Sequence, residues 1–210
     1  MKKKIYVVGD ATYYASFIKN YELVSRLEDA QYVLFTGGED VTPDLYGEKA
    51  HPSTYNNPER DLKEKEIFEK ISPSQIAIGI CRGSQFLCVM NGGKLIQDVK
   101  YHALYGTHPI IDKTTKEVYE ITSTHHQMQY PYRLPVNYYQ VLMYSTEQGS
   151  RHIGLTLSEA EFINLLKHEP EVVLYTCPNK PKCLAIQGHP EMMNPNAPII
   201  NKLNEIINSL

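Results

Sequence analysis

The sequence contains no apolar run long enough to act as a signal peptide or to cross a membrane. Met1 is followed by three lysines, and the apolar stretch after them covers only residues 5–8. A signal peptide needs about 7–15 apolar residues and a membrane helix needs about 20. We therefore expect a cytoplasmic protein with no membrane partner. In that compartment cysteines are normally thiols, and the chain has four of them: Cys81, Cys88, Cys177 and Cys183.

The sequence also lacks a strong excess of charge and a recognisable metal motif. Its formal net charge is −3, and a chain without an excess of positive charge gives no indication of a nucleic-acid-binding surface. Its eight histidines form no His-x-x-x-His pair. Cys177 and Cys183 flank a Pro-Asn-Lys-Pro turn and offer at best two ligands. We predict no nucleic-acid partner, no metal site and no cofactor.

A buried strand, a tight turn and a helix are indicated by residues 76–93. The first five residues, Ile-Ala-Ile-Gly-Ile, suit a central parallel strand covered on both faces. The apolar residues that follow have helical spacing, and a glycine pair ends the helix. Cys81 lies at the corner, where Gly79 and Gly83 leave room for a sharp turn. This pattern predicts a nucleophile elbow that holds Cys81 in a strained conformation with its side chain exposed.

The predicted position of Cys81 would also make its thiol reactive. The helix that begins at Arg82 directs its positive end at Cys81, which favours thiolate over thiol. The backbone N–H of Arg82 is placed to bond the oxyanion of a tetrahedral intermediate. One helical turn after Cys81, Gln85 faces the same pocket and is a candidate substrate contact. The alternative is a structural cysteine in an ordinary βα turn, since cysteine is often buried.

A second motif, Gly188-His189-Pro190-Glu191, follows the apolar run of residues 183–186. Residues two apart in an extended segment point to the same side, and Pro190 biases His189 toward an extended conformation. His189 and Glu191 can then face one site, with the histidine accepting the thiol proton and the carboxylate orienting it. Taken alone, the motif also fits a polar loop before the C-terminal helix.

Together with two further segments, these motifs resemble class I glutamine amidotransferase domains. Within that superfamily they are most similar to the γ-glutamyl-γ-aminobutyrate hydrolase (peptidase C26-type) branch. The matching segments are GGEDVTPDLYGE (37–48), GICRGSQ (79–85), THHQ (124–127) and GHPE (188–191). They occur in the family's order along the chain. The resemblance implies a flavodoxin-like α/β fold, which is a three-layer sandwich with a mostly parallel central sheet. It also implies a γ-glutamyl thioester intermediate.

The resemblance further implies roles for individual residues. It implies a catalytic triad of Cys81, His189 and Glu191. It implies a second oxyanion donor in the N–H of Gly38, after a strand predicted at residues 32–35, although paired glycines are also common in simple turns. It implies a wall of the substrate pocket formed by His125, His126 and Gln127, with His126 the preferred contact.

The rest of the chain shows no linker, repeat or low-complexity tract, and 210 residues suit one domain, residues 1–210. Apolar residues between positions 23 and 27 predict a short helix. Residues 100–116 have no periodicity and are predicted to form a loop. Segments 100–116 and 148–157 are the candidates for contacting the amine part of a substrate.

Two helix starts are indicated by their capping residues. Asn57 and Pro58 are typical of a first helical turn, and Arg60 and Asp61 after them are predicted to lie on a solvated charged face. The pair also resembles an Arg-Asp pair of the family. A capping box predicts a short helix over residues 158–166, without a counterpart in the family motifs, so we interpret it as a local insertion.

Three functions are compatible with these motifs. The first is cysteine-dependent hydrolysis of a γ-glutamyl amide, a small-molecule substrate, with release of glutamate and an amine. The second is a glutaminase subunit that supplies ammonia to a separate ATP-dependent ligase in trans. The third is a catalytically silent binding protein, against which the intact Cys81, His189 and Glu191 argue. The first is the function that we predict.

Overall fold

The computed structural model describes residues 2–145 and 158–210. The strands within these residues are β1 (Lys3–Val8), β2 (Tyr21–Leu23), β3 (Tyr32–Phe35), β4 (Ile76–Ile80), β5 (Lys94–Ile96), β6 (Ala103–Asp112), β7 (Val118–Thr124), β8 (Met128–Tyr130), β9 (Tyr139–Ser145), β10 (Glu169–Tyr175) and β11 (Lys182–Ile186). The α-helices are α1 (Pro58–Lys70), α2 (Arg82–Met90), α3 (Glu159–Lys167) and α4 (Pro198–Ser209). Short 3₁₀ turns cover Thr12–Phe17, Leu27–Asp29, Pro43–Tyr46 and Pro190–Met192.

Nine of these strands form one sheet in the order β2-β1-β3-β4-β11-β10-β9-β6-β7. The first five in this order are parallel to one another. Strands β10 and β6 run opposite to the rest of the sheet. The predicted α/β fold with a mostly parallel central sheet is therefore confirmed. Strands β3, β4 and β11 are neighbours at its centre, so the segments after their carboxyl ends meet at one edge.

The central strands bury side chains on both faces of the sheet. Leu34 of β3 belongs to a core that includes Leu203 of α4. Its neighbour Val33 belongs to a second core with Phe68 of α1 and Phe86 of α2. Because successive strand residues point to opposite faces, α4 and the α1–α2 pair cover opposite sides of the sheet. The result is the predicted three-layer arrangement.

The capping predictions for two helices are confirmed. The side-chain oxygen of Asn57 accepts a hydrogen bond from the Arg60 N–H at 3.2 Å, and Pro58 is the first residue of α1. At α3, Ser158 N–H donates to Glu161 at 2.8 Å, and Glu161 N–H donates to Ser158 Oγ at 3.3 Å. None of the helices in the described ranges combines the length and apolar character needed to cross a bilayer.

Two secondary-structure predictions are wrong. The helix expected around residues 23–27 is replaced by β2 and a 3₁₀ turn, because pairing of β2 with β1 outweighs a weak helical pattern. The loop expected at residues 100–116 is largely β6, which pairs with β7 over most of its length. Its inward side chains include His108 and Asp112, so the alternation of polarity that normally indicates a strand is missing.

Candidate active site

Cys81 occupies the corner between β4 and α2 with φ 51° and ψ −110°, a conformation that costs a non-glycine residue energy. A β-carbon on Gly79 would lie 2.4 Å from the Gly83 carbonyl oxygen, and one on Gly83 would lie 2.3 Å from the Phe35 carbonyl oxygen. Both positions therefore require glycine, because neighbouring backbone atoms leave no space for a β-carbon. The predicted strained corner is confirmed.

The turn is fixed by backbone hydrogen bonds on both sides of Cys81. Its N–H donates to the Ile186 carbonyl at 2.8 Å, and its carbonyl accepts from the N–H groups of Ser84 and Gln85 at 2.9 and 3.2 Å. The N–H of Arg82 is among the first amides of α2, which have no acceptor within the helix. Contrary to the prediction, Cys81 is only 9% exposed, because it is in contact with His189 and lies near Tyr14.

His189 and Glu191 are paired at the edge of the sheet next to Cys81. His189 Nδ1 lies 2.7 Å from Glu191 Oε1, and the Glu191 side chain is fully buried. Thr122 holds the histidine backbone from the opposite side: its Oγ1 accepts from the His189 N–H at 2.9 Å and donates to the His189 carbonyl at 2.8 Å. These contacts fix the imidazole ring, and the pairing leaves Nε2 as its other titratable nitrogen.

The electrostatic environment favours the protonated form of His189. Burial alone would disfavour the imidazolium, but side-chain hydrogen bonds to Cys81 and Glu191 outweigh it and raise the pKa of His189 to about 10. Burial, a hydrogen bond with Tyr13 and the nearby Glu191 carboxylate raise the pKa of Tyr14, so its hydroxyl stays neutral. The site therefore favours a proton on His189, next to the Cys81 sulfur.

The loop after β3 brings Gly37 and Gly38 to the same edge. Gly38 has φ 140°, and a β-carbon there would lie 2.1 Å from Arg60 Nη1. A β-carbon on Gly37 would lie 3.1 Å from His189 Cε1. Arg60 Nη2 donates to the carbonyl oxygens of Thr36 and Gly37 at 3.2 and 3.0 Å. The loop therefore lies against His189, and an arginine of α1 fixes its backbone.

Three buried charged side chains and the partly exposed Arg60 form a network beneath this loop and the elbow. The guanidinium of Arg82 is 2% exposed and donates to the carboxylates of Asp61 and Glu64. Glu64 also accepts from Arg60 Nε at 2.8 Å. The predicted solvated face for Arg60 and Asp61 is thus wrong, because Asp61 is 1% exposed and pairs with Arg82. The spacing of Asp61, Glu64 and Phe68 along one helical face is a sequence signal for this burial.

Of the residues predicted to contact substrate, Gln85, His126 and Gln127 lie near one another. Gln85 Nε2 donates to the Gln127 carbonyl at 3.0 Å, and both side chains are buried. His126 is half-buried, and its Nε2 lies 3.0 Å from Asp40 Oδ1. The hydrogen bond with Asp40 raises the pKa of His126.

His125 departs from the predicted arrangement. It is 3% exposed, and its ring packs on His102, 4.8 Å between centroids, so its imidazole belongs to an interior cluster and not to the pocket wall. Successive residues of an extended segment point to opposite sides, which explains why His125 and His126 separate. Burial and the neighbouring His102 imidazole lower the pKa of His125.

A cleft of about 500 Å³ opens beside Gly37 at the carboxyl ends of β1 and β3. Its lining includes Gly9, Asp10, Asn57, Glu59, Arg60 and Lys63. The cleft therefore has a polar and charged wall, and neither Cys81 nor His189 is among the residues that line it. The sequence indicated other segments for this role: residues 148–157 lie outside the described residues, and residues 100–116 largely form β6.

Comparison with known proteins gives a family and several relatives. The family model described as peptidase C26 matches residues 17–131. The glutamine amidotransferase-like protein YvdE of Lactococcus lactis subsp. lactis is 31% identical over 182 residues, which cover 83% of this chain and 69% of YvdE. Protein NtpR of Enterococcus hirae is 31% identical over 123 residues, 48% of this chain and 52% of NtpR. The aligned part thus spans about half of NtpR.

Solved structures of low sequence identity share the fold. One is a protein described as part of a GMP synthase from Thermoplasma acidophilum, with a TM-score of 0.56, 16% identity and coverage of 99% of this chain and 98% of that one. Another is a glutamine amidotransferase from Thermotoga maritima, with a TM-score of 0.54, 14% identity and coverage of 99% and 94%. Because the C26 model matches more than half of the sequence and YvdE aligns with most of it, this chain belongs to the peptidase C26 family, within the class I glutamine amidotransferase-like superfamily.

Proposed function

We propose that this protein is a cytoplasmic enzyme that hydrolyses a γ-glutamyl amide through a thioester on Cys81, with His189 and Glu191 completing a catalytic triad. The observation that carries the proposal is the 2.7 Å pairing of His189 Nδ1 with Glu191 Oε1 beside a strained cysteine at a helix start. The name of the relative YvdE, which describes it as glutamine amidotransferase-like, supports amide chemistry of this class.

The reaction begins when the Cys81 sulfur attacks the side-chain amide carbon of the γ-glutamyl group. The thiol proton passes to His189, and the backbone N–H groups of Arg82 and Gly38 stabilise the oxyanion of the tetrahedral intermediate. His189 then gives the proton to the leaving nitrogen as the C–N bond breaks, which leaves a γ-glutamyl thioester. Glu191 holds the imidazole in position throughout.

Water completes the cycle by attacking the thioester carbonyl. His189 accepts a proton from the water, the C–S bond breaks, and the proton returns to the Cys81 sulfur. Glutamate and a free amine are the products. Gln85, His126 and Gln127 are our candidates for binding the γ-glutamyl group, since they supply amide and imidazole groups close to the elbow.

The alternative function is a glutaminase subunit that transfers ammonia to an ATP-dependent ligase bound in trans. The description of YvdE as glutamine amidotransferase-like is compatible with this alternative. The description of the matching family as a peptidase supports the hydrolase over the glutaminase.

The experiment is a panel of γ-glutamyl amines, short γ-glutamyl peptides and free glutamine at equal concentration, with released glutamate as the readout. We expect at least one γ-glutamyl amine to be cleaved faster than glutamine. The Cys81→Ala variant controls for spontaneous hydrolysis and for contaminating enzymes. Activity confined to glutamine, and increased by a co-encoded ligase, would replace the hydrolase with the ammonia-supplying subunit. No glutamate from any compound would refute both.

A further inference from the structure

A second group of ionisable side chains lies in the interior, behind the wall that carries His126. It consists of His102, His108, His125 and Glu171, which we name the inner cluster. His102 precedes β6, His108 lies within β6, His125 follows β7, and Glu171 lies on β10. All four are at most 3% exposed. Four ionisable groups so deeply buried require partners, because an uncompensated buried charge is costly.

The carboxylate of Glu171 is the centre of the inner cluster. Its Oε1 lies 3.6 Å from His102 Nδ1, 3.6 Å from His108 Nε2 and 3.9 Å from His125 Nε2. These separations are too long for good hydrogen bonds. In a tetrahedral zinc site with bonds of about 2.0–2.2 Å, neighbouring ligand atoms are about 3.4 Å apart. The ligand atoms of His102, His108 and Glu171 all lie within 4.8 Å of one another, a spacing that a common ion can bridge, and His125 borders this set.

Hydrogen bonding within the described residues does not satisfy this cluster. Both oxygens of Glu171, both ring nitrogens of His125 and Nδ1 of His102 have no hydrogen-bond partner among those residues. Buried polar atoms are nearly always paired in native proteins, so five such atoms within one cluster require an explanation. A cation among them would pair with the carboxylate and with the imidazole nitrogens at the same time.

The surroundings of His102 fit the same explanation. Its Nε2 lies 2.9 Å from Glu169 Oε2, which leaves Nδ1 directed at Glu171. Histidines that bind metals usually donate their other ring N–H to a carboxylate, which fixes the tautomer and strengthens the ligand. Glu169 is fully buried and is placed for this supporting role.

We propose that the inner cluster binds one divalent transition-metal ion of the Zn²⁺ class. Imidazole nitrogens and a carboxylate oxygen are ligands that such ions prefer, and His102, His108 and Glu171 supply three of them. The neighbouring His125 or a water molecule would take the fourth position of a tetrahedron. The ion would join β6 and the residue before it to β10. Metal binding does not depend on the proposed reaction.

The test is the metal content of the full chain. The protein is stripped with a chelator, reloaded with ZnCl₂, passed through gel filtration and analysed by mass spectrometry for zinc. We expect about one Zn²⁺ per chain in the wild type, in His51→Ala, which changes a histidine outside the cluster, and in Cys81→Ser, which removes the nucleophilic thiol. Glu171→Gln and His108→Asn should bind Zn²⁺ at least about tenfold more weakly, and Glu169→Gln about 10–100-fold more weakly.

A second measurement keeps the test valid if the ligand variants fail to fold. Co²⁺ added to the stripped wild type should give the absorption of a tetrahedral site with nitrogen and oxygen ligands, and Zn²⁺ should displace it. A thiolate-to-cobalt charge-transfer band would place the metal on cysteine and overturn the proposal. So would a wild type that retains no zinc, or a folded Glu171→Gln variant that binds zinc as tightly as the wild type.

Discussion

Arg60 Nη2 donates a hydrogen bond to the Gly37 carbonyl oxygen at 3.0 Å, which links helix α1 to the loop beside His189. The same guanidinium pairs with Glu64, and Glu64 pairs with Arg82 of the elbow. One helix thus positions the backbone of the two segments that we propose as oxyanion donors. Catalytic geometry in this protein should therefore depend on buried charges that do not contact substrate.

The first prediction concerns this network. Glu64→Gln should lower the free energy of unfolding by about 3 kcal/mol, because removing one partner from a buried ion pair leaves the guanidinium of Arg82 undercompensated. Urea denaturation measures the change. Glu69→Gln, an exposed position on the same helix, is the matched control and should change stability by less than about 0.5 kcal/mol. Equal effects of the two variants would contradict the importance of the network.

The second prediction concerns the loop at Gly38. Gly38→Ala should lower kcat by about 10²–10³-fold, because the methyl group would displace Arg60 and move the proposed oxyanion donor. Glutamate release under saturating substrate is the measurement. Gly106→Ala, where a β-carbon meets nothing within 4 Å, is the control and should keep normal turnover. A fully active Gly38→Ala enzyme would remove Gly38 from the mechanism.

The third prediction identifies the nucleophile. Burial raises the pKa of Cys88 and the pKa of Cys183 to about 12 each, so these thiols stay protonated and unreactive at neutral pH. A γ-glutamyl chloromethyl ketone should therefore modify Cys81, as located by peptide mass spectrometry. Cys81→Ala should abolish both labelling and turnover, whereas Cys88→Ala should retain both. Labelling at Cys88 or Cys177 would refute the assignment.

The fourth prediction separates the proposed base from the residue that orients it. His189→Ala should lose about 10²–10⁴-fold in kcat, which is the usual contribution of general acid–base catalysis. Glu191→Gln retains the shape and one hydrogen bond to the imidazole, so its loss should be smaller. Steady-state rates on the best substrate of the panel measure both. Near-normal turnover of His189→Ala would contradict its role as the base and would make His126 the next candidate.

The fifth prediction is the effect of pH on stability. The pKa of His189 is about 10 in the folded protein and about 6.5 in the unfolded chain, so the folded state binds the proton more tightly. The stabilisation is fully present below about pH 6.5 and is lost as pH rises through 10. The hydrogen bond to Cys81 and then the one to Glu191 raise this pKa, and Glu191→Gln weakens the second, so the variant's free energy of unfolding should fall less between pH 7 and 10 than that of the wild type. Parallel urea titrations at several pH values compare the two. Identical pH slopes would show that Glu191 does not raise the pKa of His189.

Local geometry is what the sequence determined by itself. The elbow at Cys81 could be predicted because Gly79 and Gly83 act within a few residues, where the covalent chain limits the possible conformations. The pairing of His189 with Glu191 was predictable for the same reason, since only Pro190 separates them. The strands at the centre of the sheet were predictable from their apolar runs, because a strand covered on both faces needs apolar side chains throughout.

Tertiary structure alone decided the contacts between distant segments. Arg82 finds its partners on α1, and the inner cluster joins β6, the segment after β7 and β10. The polar residues of β6 were mistaken for a loop because a buried strand with inward histidines lacks the apolar alternation that indicates a strand. Such groups are buried together only after the sheet has assembled, because strand pairing, and not sequence spacing, sets which side chains meet.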